Sequence, residues 1–308
     1  MVSRVGPKHP KQRDKAEMSR RAEMISQEIM AVVVSYNGGS GTARAVEALA
    51  ESVGYVHVVD NNSAPSSRAL LAQLSERPNV SVEYLPENRG VAHALNRGVA
   101  RAAELGKPWL LTMDQDSTPD RGMITAFCAA SDRSPDIRCM SPVIADRGKA
   151  RRTQVQVLSY AITSGNLVHH KVYEKAGTYR EALFIDGVDF DFSLRVRRAG
   201  FQIHLIPEAH LYHRLGDEKP EGVLMHWYTR HSPVRRYYMY RNLVYLLRWH
   251  GLRFPVFAAK TLVAHAMLLL MILRHDPRPW TSYRFAVRGV CDALRGRTGR
   301  IPEALLAA

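Results

Sequence analysis

Two hydrophobic rhythms alternate along the first half of the chain. Ile29-Met-Ala-Val-Val-Val-Ser35 is an unbroken, β-branched apolar run bounded by Tyr36-Asn37-Gly38-Gly39. Such a run predicts a strand buried on both faces. Residues 55–59, 80–85 and 108–113 repeat it, and residues 42–53, 66–77 and 91–105 between them carry apolar positions at helical spacing. The alternation predicts βαβ units, a mainly parallel sheet and right-handed crossovers. In such sheets ligands bind beyond the carboxyl ends of the strands. Here those ends read Tyr36-Asn37, Asp60-Asn61-Asn62-Ser63, Glu87-Asn88-Arg89-Gly90 and Asp114-Gln115-Asp116-Ser117.

Beyond Arg147 the pattern loosens. Residues 148–153 read as an exposed loop, 160–166 as the end of a strand, 188–199 as a helix capped by Gly200, and 201–206 as a strand. From Met225 onward the chain is rich in Tyr, Arg and Leu and reads as helices. The expected organisation is a basic, disordered lead-in over 1–28, an α/β domain over 29–222 and a helical extension over 223–308.

Composition sharpens one part of this picture. Hydrophobic residues are 46% and charged residues 23% of the 308, which excludes a disordered or collagen-like chain. Three cysteines far apart, Cys128, Cys139 and Cys291, exclude a disulfide framework and a Cys-based zinc site. The net charge is +14, and between Arg195 and Arg300 there are 19 Lys and Arg against 6 Asp and Glu. A field of this kind attracts nucleic acid, an acidic membrane surface or a phosphorylated substrate.

The chemistry sits in carboxylates. Asp114-x-Asp116 directly follows a buried strand, where two carboxylates suit a hard divalent cation such as Mg2+ or Mn2+. Asp60 at its own strand end is suited to accept hydrogen bonds from a base or ribose. Asn88-Arg89-Gly90 precedes a helix whose amide end suits a phosphate. Gly38-Gly39-Ser40-Gly41 lacks both phosphate-loop signatures and reads as a flexible loop. Asp186, Asp189 and Asp191 open a helix together, and their spacing lets only some of them face one site.

Taken in order, Val32-Val-Val-Ser35-Tyr36-Asn37, Val59-Asp60-Asn61-Asn62-Ser63, Asn88-Arg89-Gly90 and Asp114-Gln115-Asp116-Ser117 resemble the nucleotide half of family 2 glycosyltransferases. Ser164-Gly165-Asn166, the run from Phe184 to Asp191 with Arg195, and His210-Leu-Tyr-His213 resemble the acceptor half. Within that family the chain is most similar to bacterial rhamnosyltransferases of O-antigen and related polysaccharides, a likeness that includes His231-Ser232-Pro233 and the run from Tyr237 to Asn242. The resemblance implies a GT-A fold, with Ser35, Tyr36, Asn37, Asp60, Asn88, Arg89, Gly90, Asp114 and Asp116 on the nucleotide sugar. It implies a metal at Asp116 and His213, and Asp189 as general base. Ser164, Gly165, Asn166, Asp186 and Asp191 would lie on the acceptor side. The implied donor is dTDP-L-rhamnose, with a UDP-sugar such as galactofuranose as the alternative, and the implied acceptor is a lipid-linked saccharide. One departure is Val188, where many relatives carry Glu.

Arg235, Arg236, Arg241 and Arg248 interleave with Tyr237, Tyr238, Tyr240, Tyr245 and Trp249. This mixture predicts an interfacial helix on an anionic membrane, at the cytoplasmic face. Residues 254–273 are expected to lie on a surface or pack as a core helix. A nucleic-acid role for the basic third is disfavoured, because the strand-end carboxylates would repel phosphate.

Overall fold

The computed structural model of the chain describes residues 21, 23–144, 154–213 and 231–303. The four apolar runs are strands β1 Ile29–Ser35, β2 Tyr55–Asp60, β3 Val80–Tyr84 and β4 Trp109–Asp114. Helices α1 Ser40–Ala50, α2 Pro65–Leu74 and α3 Val91–Glu104 connect them. The strands pair in parallel in the order β3-β2-β1-β4. Alternate residues feed two cores: Ala31, Val33, Val58 and Leu111 face one, and Met30, Val32, Val59 and Leu110 face the other. Burial on both faces is why these strands read as continuous rather than alternating apolar runs.

The second half of the sheet is mixed. It comprises β5 Ser117–Pro119, β6 Cys139–Ile144, β7 Gln156–Leu158, β8 Asn166–His169 and β9 Ile203–His213. β8 runs antiparallel to β4 and to β6, β6 is parallel to β9, and β5 and β7 are antiparallel to β9. Helix α4 Met123–Arg133, α5 His170–Ala176, a 3-10 turn Glu181–Leu183 and α6 Val188–Arg198 complete this half. Two expectations shift. Residues 160–165 are not strand: β8 begins at Asn166, opposite Thr112, whose Oγ1 donates to Thr163 O just before it. The strand expected to stop at 206 runs on to His213, where it turns to pair with β5 beside the Asp114–Asp116 turn. The expected loop at 148–153 and most of the lead-in lie outside the described residues.

Three helices follow: α7 Pro233–His250, α8 Pro255–His275 and α9 Pro279–Leu294. Each opens on Pro, whose fixed φ and missing N–H fit a first turn. Ser232 caps α7, its Oγ accepting from Arg235 N at 3.3 Å. The interfacial reading of α7 is corrected here. Arg236 and Arg241 are completely buried, and so are Tyr237, Tyr238, Tyr240 and Tyr245. The guanidinium of Arg241 donates to the carbonyls of Ala182 and Leu183 at 3.1 and 2.9 Å and also to Gly299 O. A planar fork of five donors is well matched to such a cluster of carbonyls. Tyr245 Oη donates to Arg297 O at 2.8 Å. The inner face of this helix is core, with Arg241 spent on backbone carbonyls, while Arg235 and Arg248 stay exposed.

Candidate active site

Three strand ends meet at one edge of the sheet and are stitched together by side chains of their own turns. Ser35 pairs with Asp60 across β1 and β2, and Val34 with Asp114 across β1 and β4. Gln115 works like a strand residue: its Oε1 accepts from Tyr36 N at 2.7 Å and its Nε2 donates to Tyr36 O at 3.1 Å. Sequence reading missed this residue, whose only signal is its place between two aspartates. Asn37, in the left-handed region at φ 53°, donates its N–H to Ser63 Oγ at 2.8 Å and accepts from Ala64 N at 2.8 Å. Asp60 is fully buried, and its Oδ2 accepts from Ser63 N at 3.1 Å and from Arg68 Nε at 3.0 Å. Its Oδ1 and the hydroxyl of Ser35 are buried with no partner. Buried polar atoms left unpaired are rare, so two of them on adjacent strands mark a place built to receive hydrogen bonds.

Asn88, Arg89 and Gly90 are tied into the chain around them. Asn88 Oδ1 accepts from Gly90 N at 3.0 Å, Arg89 N donates to Asn61 Oδ1 at 2.9 Å, and Val91 N donates to Phe184 O at 2.8 Å. The amides of Arg89, Gly90 and Val91 are therefore paired, and the triplet joins the end of β2 to the turn before α6. The Gly38–Gly41 stretch is also not a loose loop: Gly39 is the N-cap of α1. It lines a cavity of about 260 Å³ together with Asn37, Thr42, Asp116, Thr118 and Tyr212.

Asp114 ends β4, and Asp116 lies in the turn between β4 and β5. Asp116 is exposed at that cavity. The carboxyl of Asp114 is pushed up to about 7 by burial and by the charge of Asp116, against the opposing charge of Arg235. Ser164, Gly165 and Asn166 lie behind this turn rather than in front of an acceptor. Ser164 Oγ accepts from Asp114 N at 3.1 Å and donates to Ser117 Oγ at 2.7 Å, and Gly165 N donates to Thr112 O at 2.7 Å. Ser164 and Asn166 are buried. They brace the turn.

The turn into α6 closes the site. Phe184 and Asp186 take positive φ of 64° and 62°, conformations that non-glycine residues hold only when their surroundings force them. Asn242 Nδ2 supplies that force, donating to Leu183 O, Ile185 O and Asp186 O at 2.9, 2.7 and 2.7 Å. The Asp186 carboxylate is held by Arg235, with Nε to its two oxygens at 3.1 and 3.2 Å and Nη2 to Oδ1 at 3.0 Å. Asp189 follows one turn on, at the start of α6. Its carboxyl is raised to about 6 by burial, with the charges of Asp186 and Asp114 adding and a hydrogen bond from Phe190 N opposing. Arg235 links the two halves here, bonding Asp186 while its charge acts on Asp114.

Asp191 points elsewhere, which corrects its expected place on the acceptor side. It is fully buried, 3.1 Å from Arg180 Nη1, 2.8 Å from Arg195 Nε and 2.8 Å from His250 Nε2. Two residues on from Asp189 on a helix lies the opposite face. His213 pairs with Ser117 through the backbone, and its side chain lies outside the described residues. Among the described residues no group of three or more His, Cys, Asp or Glu side chains could hold a metal ion by itself.

Residues 30–198 match the model of the family described as Glycosyl transferase family 2. The chain is 29% identical over 299 residues to the dTDP-rhamnosyl transferase RfbF of Shigella flexneri, covering 89% of this chain and 98% of that protein. It is 23% identical over 289 residues to the galactofuranosyltransferase GlfT1 of Mycobacterium tuberculosis, covering 82% and 92%. Among solved structures it is similar in fold to S. aureus TarS 1-349 in complex with UDP-GlcNAc, with a TM-score of 0.59 at 15% identity over 91% of this chain and 83% of that one. It is also similar to the mannosyltransferase PcManGT from Pyrobaculum calidifontis in complex with GDP-Man and Mn2+, with a TM-score of 0.55 at 18% identity over 95% and 86%.

Proposed function

Because the chain belongs to glycosyl transferase family 2 and is a glycosyltransferase, we propose that it transfers L-rhamnose from dTDP-L-rhamnose to a lipid-linked saccharide, with inversion. The observation that carries the reading is two carboxylate sets bridged by Arg235: Asp114 with Asp116 just after it, and Asp186 with Asp189 at the turn into α6, Arg235 bonding Asp186 while its charge acts on Asp114. The buried, unpartnered Asp60 Oδ1 and Ser35 Oγ are suited to the nucleoside. Asp189 takes the proton from the acceptor hydroxyl as the new bond forms at the anomeric carbon, and its raised pKa suits a base. No covalent intermediate on the protein is required.

Asp114 and Asp116 are hard oxygen donors beside an open cavity, which fits Mg2+ or Mn2+. Asp116, with His213, would hold the ion, which supplies charge neutralisation for the departing diphosphate. Arg235 already lends positive charge to this corner. The rhamnosyl donor is favoured by the longer and more identical relative, and the galactofuranosyl relative supports a UDP-sugar as the second reading. A lipid-linked acceptor of a cell-surface polysaccharide would put the work at the inner face of the plasma membrane.

A thermal-shift series with dTDP, UDP and their sugars, with and without Mn2+ and Mg2+, tests the donor. We expect dTDP to stabilise at least as well as UDP, and Asp116→Asn to lose the metal-dependent part of the shift while keeping its own Tm. Stabilisation by UDP alone would replace the rhamnosyl reading by the second one. An Asp116→Asn enzyme at full turnover in the presence of a chelator would remove the metal.

A further inference from the structure

Helix α8 presents an apolar face that nothing among the described residues covers. Val256, Leu262, Val263, Met267, Leu270 and Leu273 are between 40% and 68% exposed. Positions 256, 263, 267 and 270 follow the spacing of one helix face. The other side of the helix is fastened to the protein. Leu268 and Ile272 are buried in a cluster with Tyr240 and Ala286. Tyr240 Oη donates to His265 O at 2.8 Å, and Tyr283 Oη to Leu269 O at 2.6 Å. With 21 residues the helix is about 31 Å long at 1.5 Å per residue. It has the length and apolarity of a membrane span, yet one side is committed to α7 and α9.

Charge says what covers the open side. Arg253, Lys260, Arg274 and Arg278 are all exposed. Between Arg248 and Cys291 the sole carboxylate is Asp276. It is partly buried and occupied, accepting from Ser282 Oγ at 2.8 Å and from Arg278 N at 2.8 Å. A second copy meeting this face would bring cations against cations. A layer of phosphate headgroups over acyl chains complements both features, with Lys and Arg stems lying along the apolar surface and their heads reaching the phosphates.

We propose that the exposed face of α8 docks on an anionic bilayer surface, the helix lying in the headgroup plane without crossing. The surface, rather than the arginines of α7, is the membrane contact. This deepens the lipid-linked acceptor reading and rests on it for its purpose, while its observations are independent of it.

The test uses the full chain with vesicles of phosphatidylcholine containing about 30% phosphatidylglycerol, against phosphatidylcholine alone, at low and high salt. Wild type sediments with the anionic vesicles and is partly released by salt. Val263→Asp/Leu270→Asp weakens this at least tenfold, and Lys260→Gln/Arg274→Gln weakens it several-fold, with the nucleotide-induced thermal shift unchanged in both. Absence of wild-type sedimentation overturns the proposal, as does undiminished binding by the aspartate variant. So does a wild-type dimer that the aspartates split, which would make the occupant a second copy. A large fall in Tm for the aspartate variant in the absence of vesicles would mean that another segment of the chain covers the face, and also overturns it. Loss of vesicle binding with nucleotide binding intact leaves the transferase reading standing. The converse result strikes that reading and leaves the docking surface.

Discussion

Asp189 and Asp191 are two residues apart and have opposite fates. Asp189 faces other carboxylates, and its proton is held more tightly than usual. Asp191 is buried too, which by itself would raise its pKa. The hydrogen bond from His250 and the charges of Arg195 and Arg180 outweigh burial and hold it below the ordinary range. Asp189→Asn is expected to cut kcat by about 10²–10⁴ while leaving nucleotide affinity near wild type, since it removes the base and little else. Steady-state kinetics with a nucleotide titration decides this, and an unchanged kcat would hand the proton to another group. Asp191→Asn should act on stability, because it leaves Arg195 and its neighbours without a buried counter-charge, a loss of about 3–5 kcal/mol. A carboxylate with a depressed folded pKa stabilises above its unfolded value of about 4 and loses that contribution as pH falls through the folded value. The Tm gap between wild type and Asp191→Asn should therefore be widest near neutral pH and close below about pH 4. A gap that does not change with pH would mean that packing, not charge, fixes Asp191.

At the scale of elements, what was legible followed from how local each cause is. Strands β1 to β4 declare themselves because both faces are buried, and the strand-end motifs fall where a parallel sheet puts them. Strands β5 and β7 have three residues each, too few to show a period. Helix α7 misleads because its Arg and Tyr content looks like a surface. The carbonyls that satisfy Arg241 and Asn242 lie more than fifty residues away in the chain, before or after, and no local pattern announces them. Those long-range bonds give α7 a functional role, because Asn242 clamps the strained turn that sets Asp186 and Asp189. Asn242→Asp keeps the size but turns a donor to three carbonyls into an acceptor. The buried carbonyls then lose partners at about 1–3 kcal/mol. We expect kcat to fall about tenfold or more, with nucleotide affinity held by the distant β1 and β2 ends unchanged. Equal losses in kcat and nucleotide affinity would show a general loosening instead of a positioning role.

The two halves of the sheet join through β4 and β8, and beyond the strands a second contact between the halves runs through Gly90. Its φ of 87° and ψ of 167° lie in a region that is essentially glycine-only. A Cβ there would stand 2.4 Å from Phe184 O and 2.7 Å from the Phe184 ring. The neighbouring Val91 N–H already bonds that same carbonyl. Phe184 in turn stacks on Tyr238 of α7, ring centroids 5.0 Å apart, so the turn has a helix behind it and little room to retreat. Gly90→Ala therefore incurs about 1–3 kcal/mol of backbone strain, together with a similar amount from overpacking. For a chain of this size that corresponds to a fall in Tm of roughly 3–9 °C. The displacement falls between Asp60 and Asn61, the proposed nucleoside end, and Asp189, the proposed base. Variant molecules that remain folded should therefore bind nucleotide and transfer slowly. Thermal melts and single-turnover kinetics on the same preparation separate the two effects. A variant with wild-type Tm and wild-type turnover would show that the halves are coupled elsewhere than at this carbonyl.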